Sequence, residues 1–298
     1  MHRRSFLQAL LCVGELGVSA LPATSEEASR IPTPDRATDA HHHIYNSRFP
    51  VDPKAELRPG NATVADYRNL QKRLGTTRNV VVQPSTYGVD NRCLLDALHQ
   101  FGGENSRGVA VVNTSVSDSE LKRLHDAGVR GIRFNLSQAG ATTPEMAAPL
   151  AKRIADFGWH VQVNASSEQI VSLADLWNRV PVPVVFDHFG HVSELKNPAF
   201  SLLCRLMQRG KAWTKLSGAE TISKVGAPTY ADIAPIARAF IRESPERLLW
   251  GTNWPHPTSI DKPDDVVLFN LLAQWTSNES VHTKILVHNP EQLYGFAR

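Results

Sequence analysis

Eight short apolar runs alternate with amphipathic stretches along the chain, and no other feature of the sequence constrains the fold as strongly. The runs are rich in Val and Ile and are largely apolar on both faces, which is typical of parallel strands that helices cover. They predict strands over residues 38–45, 79–83, 108–113, 131–135, 160–164, 182–188, 212–217 and 248–253.

The stretches between these runs carry signals for the start and end of helices. Ser117 begins a capping pattern before a periodic apolar segment that ends at Gly128. Pro144 begins a second such segment, which ends at Gly158. The patterns predict helices over residues 91–101, 117–127, 143–157, 166–177, 198–209, 230–243, 264–275 and 279–287.

Eight strand–helix units within about 260 residues predict an α/β protein with the (β/α)8 TIM barrel fold. The alternative is a doubly wound open sheet, which gathers its polar groups at one switch point. Here polar residues follow nearly every predicted strand, which favours the barrel. No Gly-x-Gly-x-x-Gly motif follows a strand, so the sequence does not support a dinucleotide site.

Composition excludes several classes of function. The 298 residues are 42% hydrophobic and 20% charged, and the net charge of +3 is spread along the chain. Without a basic block interleaved with aromatic residues, we expect no nucleic-acid partner. No apolar run reaches the roughly 18 residues that a membrane span needs, so we expect no membrane partner after export. Cys93 and Cys204 are predicted to be inert core thiols.

The first residues resemble a bacterial twin-arginine export signal. Arg3 and Arg4 precede an apolar run, and small residues follow, with cleavage expected after Ala20 or Ala23. Residues 1–35 are therefore predicted to be a signal peptide and linker, and residues 36–298 to be the barrel domain. The predicted location is the periplasm, and the alternative is a cytoplasmic protein with an untargeted N-terminus.

Residues 1–35 fused to a reporter are expected to carry that reporter into the periplasm, because the paired arginines and the apolar run are the elements that the export machinery reads. The measurement is reporter activity in separated cell fractions. A reporter that stays in the cytosol would contradict the predicted location.

Three consecutive histidines stand at the end of the first predicted strand. Side chains alternate across a strand, so His41 and His43 are expected on one face and His42 on the other. Two imidazoles that project side by side from a strand end can hold a metal, a proton or an anionic oxygen.

Polar residues also follow the other strands, and the C-terminal ends of barrel strands meet at one mouth, where barrel enzymes place their catalytic groups. We therefore expect a single site built from these strand ends. Two further histidines, His160 and His191, are predicted to be ordinary core groups. The polar strand ends are Gln83 to Tyr87, Asn113, Arg133 with Asn135, Gln162 with Asn164, Asp187 with His188, Lys215 with Ser217, and Asn253 to His256.

Several of these strand ends form motifs of a known family. From about residue 38 onward the chain resembles the amidohydrolase-related (amidohydrolase 2) family of barrel hydrolases. Within it, two further motifs resemble the branch of 2-pyrone-4,6-dicarboxylate hydrolase and D-galactarolactone isomerase, namely Gln83-Pro-Ser-Thr-Tyr87-Gly and Gly131-Ile-Arg133-Phe-Asn. The family motifs are Asp39-Ala-His-His-His43-Ile-Tyr, Val182-Pro-Val-Val-Phe-Asp-His188-Phe-Gly, Lys215-Leu-Ser-Gly218 and Trp250-Gly-Thr-Asn-Trp-Pro-His256-Pro.

The resemblance implies a catalytic role for His41, His43 and His188. These positions bind a divalent metal in many relatives, whereas the pyrone hydrolase branch works without one. We expect no cofactor, and the alternative is a single divalent metal such as zinc held by the three histidines. No Glu or carboxylated Lys is evident as a bridging ligand, which argues against a binuclear site.

The chain departs from the family at Asn253, where relatives usually have an Asp that activates water. A carboxamide is neutral and cannot take up that proton. Either a histidine activates the water, or the enzyme transfers an acyl group within the substrate and uses no external water. Asn253 is still predicted to be catalytic, as a donor to a developing oxyanion or to a substrate hydroxyl.

Four residues are predicted to bind substrate: Ser85, Tyr87, Arg133 and His256. Arg133 is the expected carboxylate anchor, because a guanidinium group suits bidentate contact with a carboxylate. Relatives that take a dicarboxylated pyrone use further arginines where this chain has Ala139 and Ala219-Glu220-Thr221. A monoanionic or neutral, hydroxylated lactone is therefore the expected substrate.

These observations lead to three hypotheses of function. The first is a hydrolase that opens a small cyclic ester, either a sugar-acid lactone or a pyrone-type lactone. The second is a metal-independent lactone isomerase on the same scaffold. The third is a catalytically silent protein that binds sugar acids, in which Asn253 marks lost chemistry. The expected partner is a small lactone or sugar acid, and the sequence leaves the oligomeric state open.

Overall fold

The computed structural model describes residues 32–138, 140–276 and 278–297, so residues 1–31 of the predicted signal peptide and linker, and also Ala139, lie outside the described residues. Eight parallel strands pair in chain order, which confirms the predicted (β/α)8 TIM barrel. All eight predicted strands are present, and several end earlier than predicted. The strands are β1 (Thr38–His42), β2 (Arg78–Val82), β3 (Ser106–Ala110), β4 (Val129–Asn135), β5 (His160–Asn164), β6 (Val184–Phe186), β7 (Ala212–Leu216) and β8 (Leu248–Trp250).

Helices connect the strands and cover the outside of the barrel. None of the described helices is both long and apolar enough to cross a membrane. They are α1 (Val64–Leu74), α2 (Arg92–Phe101), α3 (Asp118–Asp126), α4 (Ala147–Ile154), α5 (Ser167–Ser172), α6 (Ala174–Arg179), α7 (Pro198–Gln208), α8 (Ala219–Ile222), α9 (Ala234–Glu243), α10 (Asp265–Thr276), α11 (Glu279–Thr283) and α12 (Asn289–Tyr294).

The sequence analysis missed helix α1. The helix has a capping box, in which Thr63 and Asp66 satisfy each other's backbone N–H groups, and Gly75 ends it in the left-handed conformation. Its buried face includes Tyr67 and Leu70. The helical spacing of the apolar residues and the capping box are both present in the sequence, but the many charged residues between the apolar positions obscured the amphipathic pattern.

Several predicted helices differ from the observed ones, since α4 covers only part of residues 143–157 and α9 begins at Ala234. The segment predicted over residues 166–177 divides at Leu173 into α5 and α6, because the backbone of Leu173 leaves the helical region. The last predicted helix continues beyond α11 through a π-helical turn over Lys284–His288 into α12. These changes lie on the outer layer and leave the barrel mouth unaffected.

The barrel closes where the chain beyond β8 meets β1. Asn253 N–H donates to the carbonyl of His41 over 2.8 Å, and His43 N–H donates to the carbonyl of Trp254 over 2.8 Å. A Cβ at Gly251 would lie 2.6 Å from the backbone nitrogen of His41, so this close approach requires glycine. Closure therefore brings Asn253 beside His41 and His43.

Asp39 fastens this closure where helix α1 packs against the barrel. Its carboxylate accepts hydrogen bonds from the backbone N–H of His41 and of Thr252, both over 3.0 Å. It also accepts from the hydroxyls of Thr252 and Tyr67, over 2.7 and 2.9 Å. Burial raises the pKa of Asp39 to about 6 although these bonds lower it. The family motif residue Asp39 is thus structural and holds β1, β8 and α1 together.

Apolar side chains and the end of the chain fill the barrel opposite the mouth. Tyr294 and Phe296 pack among residues of the strand interiors, including Val80 and Trp213. Arg107, near the start of β3, donates from Nε to the carbonyl of Tyr294 over 3.1 Å and holds this segment in place. The C-terminal segment thus occupies the end of the barrel away from the strand ends that carry the predicted site.

Candidate active site

A cavity of about 220 Å³ opens at the C-terminal ends of the strands, and we call it the mouth cavity. Of the eight residues predicted for the site, five line it: His43, Ser85, Arg133, His188 and Asn253. The structure thus brings together residues from five different strand ends. Other polar residues of its lining are Tyr45, Asn135, Ser137, Gln138, Asn164, His191, Thr221 and Thr258.

His41 lies beneath the mouth cavity and does not line it. The side chain is fully buried, with its ring centroid 5.0 Å from that of His43 and 4.8 Å from that of His188. Its Nε2 has no hydrogen-bond partner among the described residues. Burial lowers the pKa of His41 well below its ordinary value, although Asp187 favours the charged form. His41 is therefore a neutral ring that supports the lining histidines.

His42 points away from this site, as the period-two pattern predicts. Its ring stacks on Tyr67 of α1, with centroids 3.6 Å apart, and its Nε2 lies 3.1 Å from the side-chain oxygen of Asn79. Burial lowers the pKa of His42 to about 3. This histidine belongs to the packing between the barrel and α1.

A buried carboxylate with two cations lies under the mouth cavity, and we call Asp187, His41, Arg133 and Lys215 the Asp187 cluster. Asp187 Oδ2 accepts from Arg133 Nε over 3.2 Å, and its Oδ1 lies 3.2 Å from His41 Nδ1 and 3.7 Å from Lys215 Nζ. Burial alone would raise the pKa of Asp187, but these neighbours reverse the effect and hold it well below its usual range. Asp187 is thus an ionised group whose single negative charge faces two cations.

Lys215 is a fully buried charged group of the cluster. Its Nζ donates to the carbonyl of Ala40 and to Gln162 Oε1, both over 2.8 Å, and lies 3.3 Å from His41 Nδ1. Burial lowers the pKa of Lys215 to about 8, and the charge of Asp187 limits that decrease. The sequence placed Lys215 at a strand end but did not predict that it would be fully buried.

The hydrogen bonds of His43 fix which of its nitrogens carries the proton. His43 Nδ1 lies 2.8 Å from the carbonyl oxygen of Val82, which can only accept a hydrogen bond. Burial lowers the pKa of His43 well below its ordinary value, so the ring is neutral and its hydrogen is on Nδ1. The lone pair of Nε2 therefore remains free at a residue that lines the mouth cavity.

His188 is a second neutral imidazole of the lining. Its Nδ1 lies 3.0 Å from the Ser217 hydroxyl, and burial lowers its pKa to about 4 although Asp187 raises it. A Cβ at Gly218 would lie 2.5 Å from the same Nδ1, so glycine is required where the chain leaves β7. His191 also lines the cavity, and the prediction that it is a core histidine is wrong.

His256, which is predicted to bind substrate, does not line the mouth cavity. Both ring nitrogens are occupied, since Nδ1 lies 3.0 Å from Glu220 Oε1 and Nε2 lies 2.9 Å from Asp265 Oδ1. Burial would lower the pKa of His256, but these two carboxylates raise it to about 9. We call Glu220, His256 and Asp265 the Glu220 cluster. An imidazolium ion between two carboxylates has no free atom to offer a ligand.

Tyr87, which is also predicted to bind substrate, does not line the mouth cavity. Its hydroxyl accepts from the backbone N–H of Asn46 over 2.8 Å and donates to the carbonyl of the same residue over 3.2 Å. Tyr45 lines the mouth cavity in its place. Tyr87 therefore holds the loop that follows β1, and its hydroxyl is not available to a ligand.

A sequence model of the amidohydrolase family matches residues 38–296, and curated relatives match over most of their length. The chain is 38% identical over 277 residues to the 2-pyrone-4,6-dicarboxylate hydrolase of Comamonas testosteroni, covering 88% of this chain and 90% of that protein. It is 33% identical to the 4-sulfomuconolactone hydrolase of Rhizobium radiobacter, with coverage of 88% and 91%. The chain belongs to the amidohydrolase family.

The relatives also support the predicted branch of the amidohydrolase family. The D-galactarolactone isomerase of Agrobacterium fabrum is 29% identical, with coverage of 88% of this chain and 91% of that one. A crystal structure of a probable 2-pyrone-4,6-dicarboxylic acid hydrolase from Acinetobacter baumannii has a TM-score of 0.77, 25% identity and coverage of 88% and 100%. An apo structure from Agrobacterium tumefaciens has a TM-score of 0.82, 28% identity and coverage of 89% and 97%.

The alternative predicted from the sequence is a single divalent metal held by His41, His43 and His188. Within the described residues, His41, Asp187 and His188 place one ligand atom each within 4.8 Å of one another. This set differs from the predicted set, because it contains Asp187 and omits His43. Asp187 is already shared by Arg133 and Lys215, and these charges would repel a divalent cation bound at the same carboxylate. The residues present do not fit a metal site.

We expect the replacement His256→Gln to remove a pH-dependent part of the stability of this amidohydrolase. The folded pKa of about 9 exceeds the ordinary value of 6.5, so the stabilisation is full below pH 6.5 and is lost as the pH rises through 9. The difference in the free energy of unfolding between the wild type and the variant should therefore decrease by about 3 kcal/mol as the pH rises from 7 to 10.

Urea unfolding curves across this pH range measure the difference. The exposed His99 provides the matched control, and His99→Gln is expected to track the wild type at every pH. A constant difference between the wild type and His256→Gln from pH 7 to 10 would contradict the charged state assigned to His256.

Proposed function

We propose that this protein is a hydrolase that opens a small cyclic ester carrying a carboxylate group. The observation that supports this most directly is that His43, with its free Nε2 lone pair, and the guanidinium group of Arg133 line the same cavity. Curated relatives of the chain include two lactone hydrolases, which supports the same reaction class.

Arg133 is proposed to bind the carboxylate or the ester carbonyl of the lactone. Its one hydrogen bond to a described residue runs from Nε to Asp187, so the two terminal nitrogens remain for a ligand. A guanidinium group offers two parallel N–H donors to an oxyanion, and it acts strongly where water is excluded. Only 4% of the residue is exposed, which satisfies that condition.

His43 is proposed to accept the proton of the attacking water. As the water oxygen bonds to the lactone carbonyl carbon, its proton moves to Nε2 of His43, and negative charge develops on the carbonyl oxygen near Arg133 and His188. The ring C–O bond then breaks, and the proton passes from His43 to the leaving alkoxide. This route assigns to a histidine the step that Asn253 cannot perform.

We propose that the reaction proceeds without a metal, because the ammonium of Lys215 and the guanidinium of Arg133 already balance the charge of Asp187. Exhaustive chelation is expected to leave the hydrolysis rate unchanged, and metal analysis of the purified protein should find less than about a tenth of an equivalent. Loss of turnover on chelation, with recovery on addition of zinc, would contradict this proposal.

The proposed reaction is tested by hydrolysis in H₂¹⁸O. The lactones are D-galactarolactone, 4-sulfomuconolactone and 2-pyrone-4,6-dicarboxylate, and mass spectrometry reads the product. We expect one ¹⁸O atom in the new carboxylate of at least one product. His43→Gln should lower kcat/KM by about 100-fold, since general base catalysis contributes that much or more.

The exposed His99 again supplies the control, and His99→Gln should retain wild-type kcat/KM. If none of the three lactones is consumed, the proposed function is wrong. If His43→Gln keeps full turnover, the assignment of the proton acceptor is wrong even where hydrolysis occurs.

A lactone isomerase is the second candidate, and Asn253 is the observation that favours it. Asn253 places a neutral carboxamide at the position where a water-activating carboxylate is expected. Transfer of the acyl group between substrate hydroxyls needs no external water. A change of ring without uptake of ¹⁸O in the same experiment would support the isomerase against the hydrolase.

We further propose that the protein is exported to the periplasm, and residues 1–35 of the sequence alone support this. The reporter fusion described above tests it.

A further inference from the structure

Along one wall of the mouth cavity, three successive hydrogen bonds run from donor to acceptor in the same direction, from His191 to Ser85. His191 Nε2 lies 2.8 Å from Asn164 Oδ1, and because an amide oxygen only accepts, the imidazole is the donor. Asn164 Nδ2 then donates to Asn135 Oδ1 over 3.0 Å, and Asn135 Nδ2 donates to the Ser85 hydroxyl oxygen over 2.7 Å. Ser85 accepts within the wall, so its own O–H is left to donate into the cavity.

Arg133 gives the same wall a positive charge. It lies on β4, the strand that also carries Asn135, and its terminal nitrogens have no hydrogen bond to a described residue. Donors from Ser85 and Arg133 thus face the cavity from one side. A group that only accepts hydrogen bonds, above all an anionic one, is complementary to this side.

The side of the cavity across the barrel has the opposite character. Asn253 follows β8, which lies opposite β4 because the eight strands pair in chain order. Its Nδ2 donates to Glu220 Oε1 over 2.8 Å. Burial favours the neutral form of Glu220, but its bonds to His256 and Asn253 outweigh this and lower its pKa, so the carboxylate is ionised and only accepts. The amide nitrogen must therefore face Glu220, which leaves Asn253 Oδ1 as an acceptor.

The Glu220 cluster gives this side a negative charge in addition to its hydrogen-bond acceptors. Glu220 Oε1 accepts from both Asn253 and His256, whereas its Oε2 is buried without a partner among the described residues. The cluster contains the carboxylates of Glu220 and Asp265 and one imidazolium, so one negative charge is not balanced. Thr221, the residue after Glu220, lines the cavity, so this charge lies close to any bound ligand.

We propose that the mouth cavity selects a lactone that has a single anionic group and a free hydroxyl. The anionic group binds at Ser85 and Arg133, and the hydroxyl donates to Asn253 Oδ1. Glu220 is the positioning residue, which fixes the carboxamide of Asn253 and repels a second anion. This inference rests on the proposed function and specifies its substrate class. It also assigns Asn253 a role as an acceptor of a substrate hydrogen bond, rather than the donor role expected from the sequence.

The test compares two lactones that differ in these groups. D-Galactarolactone carries one carboxylate and free hydroxyls, whereas 2-pyrone-4,6-dicarboxylate carries two carboxylates and no hydroxyl. The wild type is expected to favour D-galactarolactone by about tenfold or more in kcat/KM, because two like charges within a few ångströms repel strongly away from water. In Glu220→Gln the ratio of the two kcat/KM values should shift toward the dicarboxylate by about tenfold.

Two further variants separate this role from a structural one. Asp265→Asn removes the more distant carboxylate of the cluster, so it should shift the ratio in the same direction by a smaller factor. Glu246→Gln replaces an exposed carboxylate paired with Lys284, away from the cavity, and should leave the ratio unchanged. Thermal melts establish that each variant is folded, and a merely structural role of Glu220 would lower both kcat/KM values equally.

Calorimetric dissociation constants for the same two compounds replace kcat/KM if neither is turned over. If 4-sulfomuconolactone is not consumed either, the proposed function fails, while the inference about selectivity is still tested by the dissociation constants. A wild type that prefers the dicarboxylate, or a ratio that is the same in folded Glu220→Gln as in the wild type, would overturn the inference. If Glu220→Gln does not fold, the wild-type preference and Asp265→Asn decide.

Discussion

The balance of charge around Asp187 is the interaction on which the site depends. The carboxylate lies just after β6, and its neighbours come from β1, β4 and β7, so one buried ion ties together four strands of the barrel. Removing one partner of such a buried pair typically costs about 3 to 5 kcal/mol, since the remaining charge stays buried and uncompensated. The Asp187 cluster therefore fixes both the geometry of the mouth and the charge beneath it.

This balance also decides which chemistry the site supports. Burial lowers the pKa of each of the three nearby histidines, and the charge of Lys215 or Arg133 lowers it further, so the three rings stay neutral. A neutral His43 with its hydrogen on Nδ1 has a lone pair to accept a proton. The same cations disfavour a divalent metal at Asp187. Proton transfer by histidine and anion binding by Arg133 are thus two consequences of one arrangement.

The fold was predictable from the sequence because strand alternation, cap residues and apolar periodicity are local signals. The same period-two pattern correctly separated His42 from His41 and His43. Depth within the barrel is not a local property, so the sequence did not indicate that His41 lies beneath the cavity or that Lys215 is fully buried. Tyr87 and His256 were predicted to bind substrate because nothing in the sequence shows which partners occupy their polar atoms.

The sequence showed Glu220 only within a segment where some relatives carry an arginine, and it predicted no role for Glu220 in the site. Glu220 lies on the four-residue helix α8, and its position beside Asn253 results from the turn at Gly218 and the closure of β8 on β1. The lining residues Asn135, Asn164 and His191 were visible as polar groups, but their shared hydrogen-bond direction exists only once three strands are placed side by side. Pairwise contacts across the barrel mouth thus determine the polarity of the site.

The most direct measurement of the central claim is a ¹⁵N NMR spectrum of the histidine side chains at pH 7, with His43→Gln used to assign the His43 signals. The account predicts a neutral His43 ring with its hydrogen on Nδ1 and an unprotonated Nε2. A charged His43 ring, or a neutral ring with its hydrogen on Nε2, would contradict the account, because no lone pair would then face the mouth cavity.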